Sequence, residues 1–352
     1  MVNNFYCAFI DHGVTFFPDG KIGPCCQINT KYLVPLDKLQ NDNRFDCIID
    51  NYNDACEVCI SHENNGMPGY RAKKKINLDT NIVKFIDIRN SSECNLKCRI
   101  CGPHFSNKWA KELGVDSNIT NIDTHLEMII SKETEWIYIT GGEPLINKKH
   151  WELLQQLVDK GYSKNISLQY NTNLTTVKYK NIRIGELWAN FKEVTVFGSV
   201  DGIDEEFNYL RSGGDWDKVK HNIITLKEYN INFSIQLVLS ILNVWTLPKT
   251  LKFFKDIELI VNIHILTGPD ILTLNAMPDS LKDKALEILH SINYHNQPVI
   301  NYAIKLVKEN LDKDLFNETL LYVLALDKIR GENLYDLLPF HNELLRVIKN
   351  DI

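Results

Sequence analysis

The chain carries nine cysteines, and their spacing is its most informative feature. Cys94, Cys98 and Cys101 form a C-x3-C-x2-C set. Three thiolates from one short loop can ligate three irons of a cubane cluster and leave the fourth iron open to a substrate. A structural zinc instead closes four ligands, and His104 is the candidate for the fourth position in that alternative. A second group, Cys7, Cys25, Cys26, Cys56 and Cys59, surrounds the turn Pro18-Asp19-Gly20 near the N-terminus. Its C-x2-C pair suits either half of a four-cysteine zinc knuckle or an iron–sulfur cluster. Cys47 falls in a predicted helix and is expected to be a small buried residue. No cysteine follows Cys101. An odd number of thiols fits a metalloprotein better than a closed disulfide framework, which a chain of 352 residues does not need.

These thiols must be positioned by regular elements. Phe16 to Ile22 reads as two short strands around the Pro-Asp-Gly turn. The breaker-rich stretch Asn64 to Gly69 and the basic run Arg71 to Lys75 read as a solvated connector. From about residue 82, apolar strand patterns alternate with helical ones. Strands are expected at 82–88, 135–140, 165–170, 193–198, 232–239 and 259–266, with helices near 120–133 and at 148–160. Strands separated by helices imply right-handed crossovers and a parallel sheet, with the chemistry at the C-terminal strand ends. Beyond about 278 the pattern is helical, at 281–292, 299–311, 316–329 and 334–348. This tail reads as a packing cap without a catalytic motif.

Further segments stand at the predicted strand ends. Thr140-Gly141-Gly142-Glu143-Pro144 ends the second barrel strand, and Ser199-Val200-Asp201-Gly202 ends the fourth. Tyr209-Leu210-Arg211-Ser212-Gly213-Gly214 follows, with Trp216. Together with the cysteine loop, this ordered set resembles the radical S-adenosylmethionine (SAM) enzymes over roughly residues 82–270. The resemblance implies an α/β fold with a partial (β/α)6 barrel at 81–277. It implies a [4Fe-4S] cluster on Cys94, Cys98 and Cys101, SAM bound at its open iron, and reductive cleavage to a 5′-deoxyadenosyl radical that takes a hydrogen from a substrate. For SAM it implies contacts from Gly141, Gly142, Glu143, Pro144, Asn171, Ser199, Asp201 and Arg211. The glycines let backbone approach closely, and the glutamate and carbonyls accept from the SAM ammonium. Arg211 would pair with the SAM carboxylate. The family usually places an aromatic residue before the third cysteine, against the adenine; here it is Ile100.

Phe17 to Cys26 resembles the auxiliary-cluster module called a twitch, a shortened SPASM domain, here placed before the barrel at 1–80. It implies a second [4Fe-4S] cluster, with Cys7, Cys25, Cys56 and Cys59 as ligands and Cys26 as the alternative to Cys25. Asp327 to Gly331, within a helical extension at 278–352, fits the same subgroup. No catalytic side chain is identified by the resemblance.

Composition narrows the partners. The net charge of −6 argues against a broad nucleic-acid-binding face. No apolar run reaches the length of a bilayer span and no secretory signal precedes the first strand, so a cytoplasmic location in a reducing compartment is expected. Related twitch and SPASM enzymes often modify ribosomally made peptides by crosslinking, epimerisation or thioether formation. A peptide substrate is therefore expected, with flavodoxin or ferredoxin as electron donor. The alternatives are a small amino-acid, sugar or nucleotide derivative as substrate, and a non-catalytic iron–sulfur or zinc scaffold. Asn171 to Asn173, Gln236, Ser240, Asn243, His264 and Thr267 fall where a substrate could sit, although such polar groups are commonly satisfied core residues.

Overall fold

The computed structural model describes residues 7–41, 43–64, 69–70, 82–116, 122–309 and 315–333. The basic run Arg71 to Lys75 and the last expected helix, 334–348, lie outside these residues. The strands are β1 (Gly13–Phe16), β2 (Lys21–Gly23), β3 (Val34–Pro35), β4 (Phe85–Ile88), β5 (Lys97–Cys98), β6 (Trp136–Ile139), β7 (Ser167–Thr172), β8 (Lys178–Tyr179), β9 (Ile182–Arg183), β10 (Glu193–Ser199), β11 (Arg211–Ser212), β12 (Asn232–Leu239) and β13 (Val261–Ile265). Nine of them form one sheet in the order β13-β12-β10-β7-β6-β4-β1-β2-β3. From β4 to β13 its strands follow chain order and every neighbouring pair is parallel. This is the α/β architecture of a partial barrel, with a helical region beyond it.

The hairpin of β1 and β2 lies where the Pro-Asp-Gly turn placed it. It does not stand apart: β1 pairs in parallel with β4, from Gly13 opposite Phe85 to Phe16 opposite Ile88. The N-terminal strands thus extend the barrel sheet at its first edge. Phe9, Phe85 and Trp136 cluster across this junction, with ring centroids 5.3–6.5 Å apart. Such aromatic contacts add to the burial of their surfaces.

The two faces of the sheet differ. Leu168, Tyr170, Val194, Val196, Ile235, Leu237 and Leu239 are buried. The residues between them, Gln169, Asn171, Thr195, Phe197, Ser199, Ser234, Gln236 and Val238, are only partly buried. A parallel sheet is ordinarily apolar on both faces, because helices cover both. Here one face is apolar and closed, whereas the other is largely polar and half-open, as a ligand-bearing concavity requires.

Helix boundaries have identifiable causes. The side chain of Asn147 caps the helix Lys148–Asp159, accepting from Lys149 N at 2.9 Å and His150 N at 3.3 Å. His150 on that helix is buried, and its Nε2 lies 2.9 Å from the Tyr170 hydroxyl. Burial holds its pKa down to about 3, so it folds neutral. Unfolding exposes it to protonation below about pH 6.5, so stability should fall as pH drops from there towards 3. The imidazole should account for about 3 kcal/mol of the loss by pH 4.5. Urea titrations at pH 7 and 4.5 should show a smaller acid loss in His150→Gln than in the unaltered chain. An equal loss would remove the imidazole as its source.

Cys47 departs from expectation. It lies in the short helix Asp46–Asp50 but is exposed. The buried residue of that helix is the next one, Ile48, and one step along a helix turns a side chain by about 100°.

Candidate functional site

The cysteine loop follows β4 and is fixed from several sides. Ser106 caps the helix Asn107–Leu113 and its hydroxyl donates to Leu96 O at 2.7 Å. Asn107 Oδ1 accepts from Cys94 N at 3.0 Å. β5, which contains Cys98, pairs antiparallel with β11, placing Arg211 opposite Cys98. The three thiols stand close enough to raise one another's pKa. Burial is the larger cause, pushing Cys94 up to about 11 and Cys98 up to about 12. Cys101 is raised by the same desolvation. In the metal-free chain these are therefore neutral thiols, and any metal bound here would have to displace their protons.

The segment 140–144 packs directly on the entry to this loop. Gly141 and Gly142 both have positive φ, at 79° and 52°. A Cβ on Gly141 would sit 2.9 Å from Arg89 Cα, and one on Gly142 only 2.1 Å from Glu93 O. Glycine is needed here so that two backbone segments can touch, which brings the turn after β6 against the residues just before Cys94. The sequence reading assigned this permissiveness to the ligand; the structure adds a protein neighbour.

Glu143 is buried and serves the scaffold. Its Oε1 accepts from Thr172 Oγ1 at 2.7 Å and Leu145 N at 3.0 Å, and its Oε2 from Asn173 N at 2.5 Å. Burial raises its pKa to about 7 against these hydrogen bonds. Pro144 is buried beside it. Asn173 also extends Nδ2 to Asn95 Oδ1 at 2.9 Å and to Cys94 Sγ at 3.9 Å. One carboxylate therefore knits the ends of β6 and β7 beneath the cysteine loop.

Asp201 and Arg211 face each other. Arg211 Nη2 lies 2.8 Å from Asp201 Oδ2, and both are buried. Asp201 Oδ1 accepts from Val238 N at 3.0 Å. Arg211 Nη1 lies 3.8 Å from Cys98 Sγ. Asp201 thus aims the guanidinium at the middle cysteine. Asn243 holds this turn, donating to Asp201 O and Val238 O at 2.9 Å, while its Oδ1 accepts from Ser240 N. Ser240 and Asn243 are accordingly buried scaffold, whereas His264 and Thr267 are exposed. Ser199 and Ile100 are partly buried.

Two polar atoms test the fit of a polar cofactor. Arg211 Nε and Asn171 Oδ1 are buried without a hydrogen-bond partner. Orphaned groups of this kind are costly unless something satisfies them; Asn171 lies at the C-terminal end of β7, and Arg211 on β11 opposite Cys98. Three thiols, an arginine at Cys98 and two unsatisfied polar atoms fit a cluster with an organic zwitterion beside it. Among the described residues, no three His, Cys, Asp or Glu side chains converge on a single ion. A cubane offers separated iron corners, so its ligands stand further apart than those of zinc. His104, the fourth ligand in the zinc alternative, is exposed.

The N-terminal thiols form a second assembly. Cys7, Cys25, Cys56 and Cys59 line one small pocket with Phe9, Ile28 and Tyr70. Cys25 is pushed up by burial and by neighbouring Cys26, Cys7 and Cys59. Cys26 does not line the pocket; its surroundings include Asp87, Arg89 and Tyr70.

Comparison with known proteins covers the stretch that carries the first site. Residues 91–254 match the family model described as the radical SAM superfamily. GTP 3′,8-cyclase of Agrobacterium fabrum is 24% identical over 163 residues, covering 42% of this chain and 45% of its own. A cysteine-type anaerobic sulfatase-maturating enzyme of Clostridium novyi is 27% identical over 179 residues, covering 47% and 46%. Among solved structures, native anSMEcpe with bound AdoMet and Cp18Cys peptide overlaps 58% of each chain at 24% identity, with a TM-score of 0.43. The chain spans about half the length of the curated relatives it matches. With the cysteine loop, the glycine turn and the parallel half-barrel in one place, residues 91–254 are a radical SAM domain.

Proposed function

We propose that this chain is a radical SAM enzyme that takes a hydrogen atom from a peptide. Cys94, Cys98 and Cys101 would hold the SAM-binding [4Fe-4S] cluster, and Cys7, Cys25, Cys56 and Cys59 an auxiliary one. Residues 1–80 would be a twitch-like module, 81–277 the barrel and 278–352 a helical extension. When bound, the cluster and SAM supply reductive homolysis of a sulfonium bond and, from it, hydrogen abstraction.

The protein's own residues supply placement. Arg211, aimed by Asp201 and with Nε unsatisfied, would take the SAM carboxylate. Gly141 and Gly142 would turn backbone carbonyls to the ammonium, since both Glu143 oxygens already accept from protein donors. Asn171 and Ser199 would make polar contacts, and Ile100 an apolar one to the adenine. The concave sheet would keep the reacting atoms close and limit water.

The observation that favours a peptide is the chemistry of the concave face. Among the described residues its strand positions carry mostly amides and hydroxyls, Gln169, Asn171, Thr195, Ser199, Ser234, Gln236 and Asn262, with Phe197, Val238 and His264 between them. Arg89 is bound to Asp87 at 2.7 Å and Arg211 to Asp201 at 2.8 Å. A nucleoside triphosphate would call for uncompensated cations. Neutral donors and acceptors suit peptide groups. The alternative is a neutral amino-acid or sugar derivative, which the same face would also accept.

The test uses anaerobically reconstituted chain, dithionite or reduced flavodoxin, SAM and deuterated substrates. Peptide-derived deuterium is expected in 5′-deoxyadenosine. Transfer from deuterated GTP instead would overturn the peptide assignment, and absence of 5′-deoxyadenosine under every condition would overturn the enzyme reading.

A further inference from the structure

The C-terminal helix Leu315–Arg330 reaches back more than 200 residues to the loop that carries Cys98 and Cys101. Three successive carbonyls of that loop each accept from a side chain. Lys97 O accepts from Arg330 Nη1 at 3.0 Å, Cys98 O from Trp109 Nε1 at 2.8 Å, and Arg99 O from the Tyr322 hydroxyl at 2.8 Å. Tyr322 and Arg330 both belong to the C-terminal helix.

The side chains between the cysteines are held as firmly. Arg99 is fully buried. Its Nη2 meets Asp327 Oδ1 and Glu332 Oε2 at 2.5 Å each, and its Nε donates to Tyr209 O at 3.0 Å. Its guanidinium stacks 3.6 Å from the centre of the Tyr209 ring, and the Tyr209 hydroxyl donates to the same Asp327 oxygen at 3.1 Å. The other Glu332 oxygen accepts from Ser212, which pairs with Lys97 across β5 and β11. Arg330 lies over the Trp109 ring at 4.4 Å and binds Glu112 at 2.7 Å, and Glu112 also pairs with Lys97.

We propose that Tyr322, Asp327, Arg330 and Glu332 are positioning residues that hold the 97–101 loop in its ligating conformation before metal arrives. This deepens the reading of Cys94, Cys98 and Cys101 as cluster ligands and rests on it. The physical case is alternation. Lys97, Arg99 and three consecutive carbonyls engage the C-terminal helix and its neighbours, so Cys98 between them is left to face Arg211, whose charge also reaches Cys101. Short ligand loops bind tightly when such a supporting shell orients them beforehand.

The test reads the metal-free full-length chain first. Iodoacetamide labelling is followed at each cysteine by peptide mass spectrometry. Cys98 and Cys101 should label about tenfold faster in Asp327→Asn and about threefold faster in Tyr322→Phe, which removes only a hydroxyl. Cys56 and Cys59 should not change, and Asp327→Glu should return the rate towards that of the unaltered chain. After reconstitution, both variants should lose iron from the loop faster to a chelator and should show a broadened electron paramagnetic resonance signal on adding SAM. Unchanged labelling of Cys98 and Cys101 in both variants would overturn the proposal. Equal acceleration at Cys56 and Cys59 would do so too, because it would mean general loosening. If the loop takes up no iron in the unaltered chain, the ligand assignment falls, while the labelling result still decides whether the helix holds the loop.

Discussion

Cys98→Ala should abolish SAM cleavage. In the presence of dithionite, 5′-deoxyadenosine should drop to background, and about four of about eight irons per chain should be lost on reconstitution. Cys98 is the strongest choice of the three. It is the cysteine facing Arg211, at 3.8 Å, and it lies on the strand paired with β11. Its removal takes away one proposed ligand of the cluster and the neighbour of the arginine proposed to orient SAM. The buried thiol, with its pKa pushed up to about 12, also gives a pH signature. Iron uptake at this loop must release protons, so loading should quicken as pH rises from 7 to 9. Circular dichroism should show an intact fold. Sustained cleavage by a folded Cys98→Ala chain would dissociate the radical chemistry from this loop.

The second large effect separates adjacent cysteines. Cys25→Ala should forfeit the proposed auxiliary cluster, about four irons, while Cys26→Ala should retain it. The reason is direction. Cys25 lines the pocket shared with Cys7, Cys56 and Cys59, whereas the neighbours of Cys26 include Asp87, Arg89 and Tyr70. Iron and sulfide analysis of the two reconstituted variants decides the matter. The opposite pattern would exchange their roles, and stoichiometric zinc in place of iron would make the module a zinc knuckle. Neither substitution should reduce the iron held by Cys94, Cys98 and Cys101, because that loop is fixed by separate contacts to β11 and the C-terminal helix.

Much of this arrangement is legible along the chain because its signals are local. C-x3-C-x2-C, the glycine pair at 141–142 and the Pro-Asp-Gly hairpin each rest on residues a few positions apart. The parallel strands follow chain order, so periodicity and the crossover rule suffice to place their C-terminal ends together. The helices Asp279–Ser291 and Gln297–Lys308 were readable for the same reason.

What the sequence could not decide were contacts between distant segments and the facing of single side chains. The burial of Ile48 rather than Cys47 depends on which side of a short helix meets the core. The joining of β1 to β4 brings together strands far apart along the chain, and no local pattern announces it. Glu143 looked free to meet a ligand until Thr172 and Asn173 folded against it. Asp201 and Arg211 were read as two separate contacts, yet they form one ion pair. The tail read as a cap, but Arg99 and Asp327, 228 positions apart, meet in the interior. Residue spacing determined which atoms could do the chemistry, since ligand geometry is set over a few bonds. Packing decided which of them point at one another, since a buried charge or hydrogen-bonding group takes its partner from whatever the folded chain brings within reach.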